Sequence, residues 1–228
     1  TYKLLKNQGL QIEYPLSQTC CGQPMANSGC SKDIKTLAIN FVNTFKDYDY
    51  VVAPSGSCVS MVKEHYAPFF DNDNDYNKIK ASIYEVCEFL HDVVKIENIN
   101  FDFSFPYNVG VHNSCHGHRV LKLASASELN IPYESKLKNL LNKIPEINLI
   151  NLKREDECCG FGGTFCVQEE AISVAMGKDR IDDHLESSAQ IMTGADMSCL
   201  MHMDGIITRD GNPIKVMHIV EILAGVRP

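Results

Sequence analysis

Apolar positions along the chain switch repeatedly between a period of two and a helical period, and the switches fall at glycine- and cysteine-bearing turns. Leu10-Gln11-Ile12-Glu13-Tyr14 alternates as a half-buried strand does and runs into a turn at Cys20-Cys21-Gly22-Gln23-Pro24. Ile34, Leu37, Ala38, Phe41, Val42 and Phe45 then fall at helical spacing over 33–46. Tyr50-Val51-Val52-Ala53 has the length of a buried strand and ends at Pro54-Ser55-Gly56-Ser57-Cys58, with a helical pattern from Val59 through Tyr66. Asp71 to Asp75 reads as a solvated acidic loop rather than a calcium site, since the EF-hand spacing is absent. Residues 79–93 read as an amphipathic helix carrying Cys87.

The second half repeats this alternation. Asn108-Val109-Gly110-Val111-His112 is a strand candidate followed by Asn113-Ser114-Cys115-His116-Gly117-His118-Arg119 and a helix. Leu137 to Ile144 reads as helix and Ile147 to Ile150 as strand. Then come Cys158-Cys159-Gly160, a long helix over roughly 168–190, the turn Gly194 to Cys199 with a helix after it, a strand near 214–217 and a closing helix over 218–224. An internal repeat underlies the pattern. Cys20-Cys21-Gly22 recurs as Cys158-Cys159-Gly160 at an offset of 138, Ser57-Cys58 as Ser198-Cys199 at 141, and Ile83–Leu90 as Val216–Leu223 at 133.

Strands alternating with helices imply parallel sheets covered on both faces, with ligands in loops at the carboxyl ends of strands. The expected architecture is α/β with two facing lobes, residues 1–100 and 101–228. Shifted back by the repeat, the counterpart of the strand ending at Cys115 precedes Thr1. The reading therefore expects a strand and a Cys-bearing turn upstream of the first residue, in keeping with a sequence that shows neither an initiator Met nor a signal peptide.

Composition narrows the function. With 44% hydrophobic and 22% charged residues, the 228-residue chain has the profile of a globular protein with a proper core. A net charge of −8 without any basic run argues against nucleic acid and anionic membrane surfaces. No apolar stretch approaches the roughly 20 residues of a membrane span. The ten cysteines sit at turns after strand-like runs, beside histidines and glycines. That placement suits thiolate ligands in a reducing cytoplasm better than a disulfide scaffold.

The doublets carry the chemistry. Adjacent thiols cannot bridge each other without strain, whereas two thiolates followed by a residue with no side chain let a metal or cluster approach the backbone. Cys115, Cys158, Cys159 and Cys199 could complete an iron–sulfur cluster or a structural zinc site. The absence of any Cys-x-x-Cys knuckle favours the cluster. The first half offers only Cys20, Cys21 and Cys58. A zinc-bound structural or assembly protein, and a thiol–disulfide oxidoreductase, are the alternative readings. Cys30 reads as a small buried side chain before a substitute ligand, Cys87 as core because its repeat mate is Val220, and Cys166 as structural. His112, His116 and His118 flank Cys115 and are open between hydrogen bonding to cluster sulfur and surface or capping roles. Gly160-Phe161-Gly162-Gly163 lacks a full dinucleotide fingerprint and reads as backbone amides approaching sulfur.

Thr19-Cys20-Cys21-Gly22-Gln23-Pro24, His112 to Gly117, Cys158 to Phe165 and Ala195 to His202 together resemble the cysteine-rich "CCG" domain family, which includes the B subunit of heterodisulfide reductase and the iron–sulfur subunit of glycolate oxidase. The resemblance covers nearly the whole chain and is nearest to the lactate-oxidising branch. It implies a cytoplasmic iron–sulfur protein with one or two [4Fe–4S] clusters. Its partners would be the other subunits of a complex oxidising L-lactate or a similar 2-hydroxy acid to pyruvate, including a ferredoxin-like iron–sulfur protein. The heterodisulfide reductase form carries Cys-x-x-Cys in its third block, where this chain has Ser55 in one half and Asp196 in the other. Four thiolates per complete motif suit a cubane cluster rather than a non-cubane one. No ferredoxin-like run of closely spaced cysteines is present, nor a flavin or nicotinamide motif.

Overall fold

Six short strands among the described residues, all paired in parallel, position the turns of Cys58, Cys115, Cys158-Cys159 and Cys199. The computed structural model describes residues 1–228, the side chain of Ser31 excepted. Strands β1 (Val51–Ala53) and β2 (Ile83–Glu85) form a two-stranded sheet, while β3 (Asn108–His112), β4 (Asn148–Leu149), β5 (Ile191–Gly194) and β6 (Lys215–His218) form a second in the order β4-β3-β5-β6. Val51 pairs with Ile83 in the first sheet. In the second, Gly110 pairs with Met192 and Met192 with Val216. The architecture is thus α/β with two lobes, parallel sheets flanked by helices and cysteine loops at the carboxyl ends of strands, as the periodicity predicts.

Three expectations change. The stretch 79–93 is not one helix: a helix spans Asn74–Ser82, the chain extends as β2, and Val86–Glu88 resumes a helix that widens into a π-turn at Phe89–Val93. Ile83 and Tyr84 are good strand formers, and pairing with β1 overrides the helical spacing around them. Leu10 to Tyr14 forms no strand. Leu10 and Ile12 pack on the core through their side chains, but their backbone pairs with no strand among the described residues. The helix expected over 168–190 is two, Phe165–Gln168 and Glu170–Glu186, separated at Glu169, and β5 follows it at the centre of its sheet. Four residues are too few to show a period, and all four of β5 are buried.

Burial on both faces of the sheet explains why no residue of β5, Thr193 included, is exposed. Ile191 belongs to a large core that runs through both lobes, from Leu4 to Leu223. Its neighbour Met192 points to a smaller cluster with Cys159, Ile181, Leu200, Met203 and Ile206. Among the described residues no helix is long and apolar enough to cross a membrane.

The repeat is legible in the hydrogen bonds that start the closing helix of each lobe. Glu85 Oε2 accepts from the backbone N–H groups of Cys87 and Glu88, while Glu88 Oε2 accepts from the Glu85 N–H. At the matching place His218 Nδ1 accepts from the Val220 N–H and Glu221 Oε2 from the His218 N–H. The two capping residues differ in chemistry, a carboxyl in one lobe and an imidazole in the other, and Glu85 is fully buried. Burial, opposed by its two N–H donors, pushes its carboxyl from 4.5 up to about 8. Between those values the unfolded chain ionises Glu85 while the folded chain keeps it protonated, so stability falls as pH rises. Below pH 4.5 and above pH 8 this contribution is flat. Glu85→Gln should remove the decline, which urea unfolding at a series of pH values will read directly.

Candidate metal centre

Three strand-end loops bring four cysteines of the second lobe together. Cys115 follows β3 at the start of a π-turn (His116–Val120), Cys158 and Cys159 close the loop after β4, and Cys199 lies in the first turn of the helix Met197–Asp210 that follows β5. The sulfurs are linked by close contacts, Cys115 to Cys158, Cys158 to Cys159 and Cys159 to Cys199. Cys159 is 2% exposed and the other three are half-buried, so solvent reaches the group at those three rather than at Cys159.

Backbone geometry makes the doublet turn specific to glycine. Gly160 has φ +86°, and a Cβ there would lie 2.5 Å from the Ser173 carbonyl oxygen. Its N–H donates to Cys158 Sγ at 3.4 Å, and its carbonyl accepts from Ser173 Oγ at 2.8 Å. The first lobe repeats the turn: Gly22 also has φ +86°, and its N–H donates to Cys20 Sγ at 3.5 Å.

The thiols perturb one another strongly. Hydrogen bonds from Cys115, then Cys159, together with the Gly160 N–H, bring Cys158 down to about 2. The same bonds, with burial, push Cys115 and Cys159 well up. In the first lobe the bond between Cys21 and Cys58 lowers Cys58 to about 7 and raises Cys21, while Cys20 stays exposed on its turn. Sulfurs packed so that one ionisation opposes the next fit a site whose thiolates are neutralised by bound cations. This donor set, with the Gly160 amide aimed at sulfur, suits an iron–sulfur cluster.

His112 ends β3 and is 1% exposed. A nitrogen of its ring, Cys159 Sγ and Cys199 Sγ lie within 4.8 Å of one another. Burial, and then the Arg180 charge, hold the imidazole neutral, well below its ordinary range. His118 is buried with Nδ1 donating to the Ser114 carbonyl at 2.8 Å, which fastens the Cys115 turn. His116 is half-buried. Cys87 is fully buried core and Cys166 donates to the Gly163 carbonyl at 3.0 Å. Cys30 departs from expectation. It is exposed, because the turn it follows leaves the chain at the surface, and its thiol faces the Ser28 carbonyl.

The two lobes meet at Asp196, a residue whose role the sequence does not announce. Its carboxylate is 2% exposed. Oδ1 accepts from Ser55 Oγ at 3.0 Å, from the Ser57 N–H at 3.1 Å and from Ser57 Oγ at 2.8 Å. Oδ2 accepts from Ser114 Oγ at 2.6 Å. One carboxylate thus ties the loop of Cys58, the loop of Cys115 and the first turn before Cys199. Ser55 and Asp196 are repeat mates at the 141-residue offset, so each lobe presents the same position to the other, the isologous pattern of a two-fold interface. The turns after the two doublets also touch, where Thr164 Oγ1 donates to the Asn27 carbonyl. Arg180 is the other residue that sequence reading passes over. Its only signal is a cation spaced with Ile181 and His184 on an otherwise buried helix face.

Comparison with known proteins bears on this centre. The profile of the cysteine-rich domain family (CCG) matches residues 1–63 and 109–204. The chain is similar to lactate utilization protein A of Geobacillus thermodenitrificans (strain NG80-2), with 40% identity over 227 residues covering 98% of this chain and 90% of that protein. It is similar also to lactate utilization protein A of Exiguobacterium sp. (strain ATCC BAA-1283 / AT1b), with 36% identity, 98% of this chain and 88% of that one. The protein of the same name from Macrococcus caseolyticus (strain JCSC5402) is 37% identical, with 98% and 87% covered.

Proposed function

The chain belongs to the cysteine-rich domain (CCG) family, and from that premise we propose that it is the iron–sulfur electron-transfer subunit of a cytoplasmic complex that oxidises L-lactate, or a similar 2-hydroxy acid, to pyruvate. The observation that carries the proposal is the convergence of Cys115, Cys158, Cys159 and Cys199 from three strand-end loops. The name shared by its relatives supports the substrate.

The four thiolates would hold a [4Fe–4S] cluster, which supplies reversible one-electron transfer when bound. The protein's own part is to hold it, to aim the Gly160 N–H at thiolate sulfur and to bury one side of it behind Cys159 and His112. Cys20, Cys21 and Cys58 would supply thiolates for a second cluster across the lobe junction. Oxidation of a 2-hydroxy acid releases two electrons and two protons. In this reading a partner subunit takes them from the substrate, and this chain carries electrons singly toward a ferredoxin-like partner.

The test is anaerobic purification of the full chain. Brown protein with equal iron and sulfide, and an electron paramagnetic resonance signal on reduction, is the expected result. Colourless protein with stoichiometric zinc would replace this reading by the structural zinc one. A doublet thiol that alkylates rapidly and cycles with a disulfide, in protein carrying no metal, would replace it by thiol–disulfide exchange.

A further inference from the structure

We propose that His112 is a hydrogen-bond donor to the sulfur of the second-lobe centre rather than a ligand of it, and that Arg180 is the positioning residue that fixes its tautomer. The inference rests on the reading above that the four thiolates hold a cluster.

The direction of one hydrogen bond decides the matter. Arg180 Nε donates to His112 Nδ1 at 3.3 Å. A guanidinium has donors and no acceptor, so Nδ1 must offer its lone pair, and a neutral imidazole then carries its proton on Nε2. His112 Nε2 is buried and has no hydrogen-bond partner among the described residues. With Cys159 Sγ and Cys199 Sγ close to the ring, thiolate or cluster sulfur is the acceptor at hand. Ligation through Nε2 would require that nitrogen's lone pair and hence a proton on Nδ1, where it would face the Arg180 donor.

Arg180 cannot turn away to permit that. It is fully buried; Nη1 donates to Asp183 Oδ2 at 3.1 Å and to the Arg154 carbonyl, and Nη2 to the Val111 carbonyl at 3.4 Å. Asp183 is itself held by the backbone N–H groups of Lys153 and Arg154 at 2.9 and 3.1 Å. The clamp therefore spans β3, the loop leading to Cys158 and the helix Glu170–Glu186. A second hydrogen-bonded partner that fixes the first is the usual means by which a histidine near a metal is oriented. An N–H aimed at sulfur favours the reduced, more negative state, so it raises the reduction potential.

The experiment uses the full chain reconstituted anaerobically and follows the redox component that Cys159→Ser abolishes. His112→Leu should keep the iron and sulfide of that site and lower its midpoint potential. His112→Gln, which retains a donor, should recover part of the shift and serves if the leucine variant does not fold. In protein with 15N-labelled histidine and zinc in place of iron, His112 should appear with its proton on Nε2, and Arg180→Met should disturb that signature. Loss of the site's iron in folded His112→Leu and His112→Gln would make His112 a ligand and overturn the proposal. So would an unchanged potential, or a proton found on Nδ1. A wild-type chain that takes zinc and never iron would instead sink the cluster reading, and the nitrogen spectra would still decide the tautomer.

Discussion

Cys159→Ser should strip iron and sulfide from the second-lobe site while leaving the circular dichroism of the chain close to that of the parent. Cys159 is the most buried of the four thiols and sits between Cys158 and Cys199, so in the proposed centre it would be the ligand least replaceable by water. A serine hydroxyl is a harder donor and stays protonated where a thiol ionises, so it cannot take over a thiolate's place on iron. The fold does not depend on that bond, because strands β3 to β6 pair and pack without it. Burying a hydroxyl among Ile181, Met192 and Leu200 costs about 1–2 kcal/mol, small beside an all-or-none loss of metal. Full iron in folded Cys159→Ser would refute the ligand assignment.

The next largest effect is expected at Asp196. Asp196→Ala removes the acceptor of three hydroxyls and one backbone N–H at the buried lobe junction. Bonds to a charged acceptor contribute about 1.5–3 kcal/mol each when probed singly, and the freed serines can partly re-pair with one another. We expect a net loss of about 4 kcal/mol in denaturant unfolding, with poorer iron retention at both sites, since the loops of Cys58, Cys115 and Cys199 share this anchor. Asp196→Asn, which keeps one oxygen, should lose roughly half as much. A change in Asp196→Ala below about 1 kcal/mol would show that the large shared core, not the carboxylate, holds the lobes in place.

What could be read beforehand divides along physical lines. The doublets are legible because paired thiols before a glycine have few uses, Cys115 because it follows a strand candidate, and Cys199 because the repeat matches it to Cys58. The runs Val51–Ala53 and Asn108–His112 show as strands through their length and β-branched content. β2 and β5 do not. β2 hides inside helical spacing, and β5 has four residues, so only pairing with a neighbour reveals them. Leu10 to Tyr14 shows the converse, since alternation predicts a half-buried surface and a ladder also needs an adjacent edge. Asp196 and Ser55 were visible only as positions lacking a thiol. That they bind each other depends on the packing of two lobes, which no local pattern encodes. Arg180 is hidden for a similar reason: beside the local Asp183, its partners are distant backbone carbonyls and a histidine nearly seventy residues away.

The meeting of Ser55 with Asp196 has a consequence for how such a centre can be built. Two identical lobes associating as separate chains would place the same residue on both sides of the axis. A pair of aspartates there would force two carboxylates together, and one of them would have to take up a proton. A pair of serines would leave the loops joined by neutral hydroxyls alone. When both lobes lie in one polypeptide the two sides can differ, so that a single acid meets the hydroxyls opposite. Covalent linkage thus does more than keep the lobes at high local concentration. It lets them become unequal at the point where they touch, and so allows the two thiol sites beside that point to take different electronic properties.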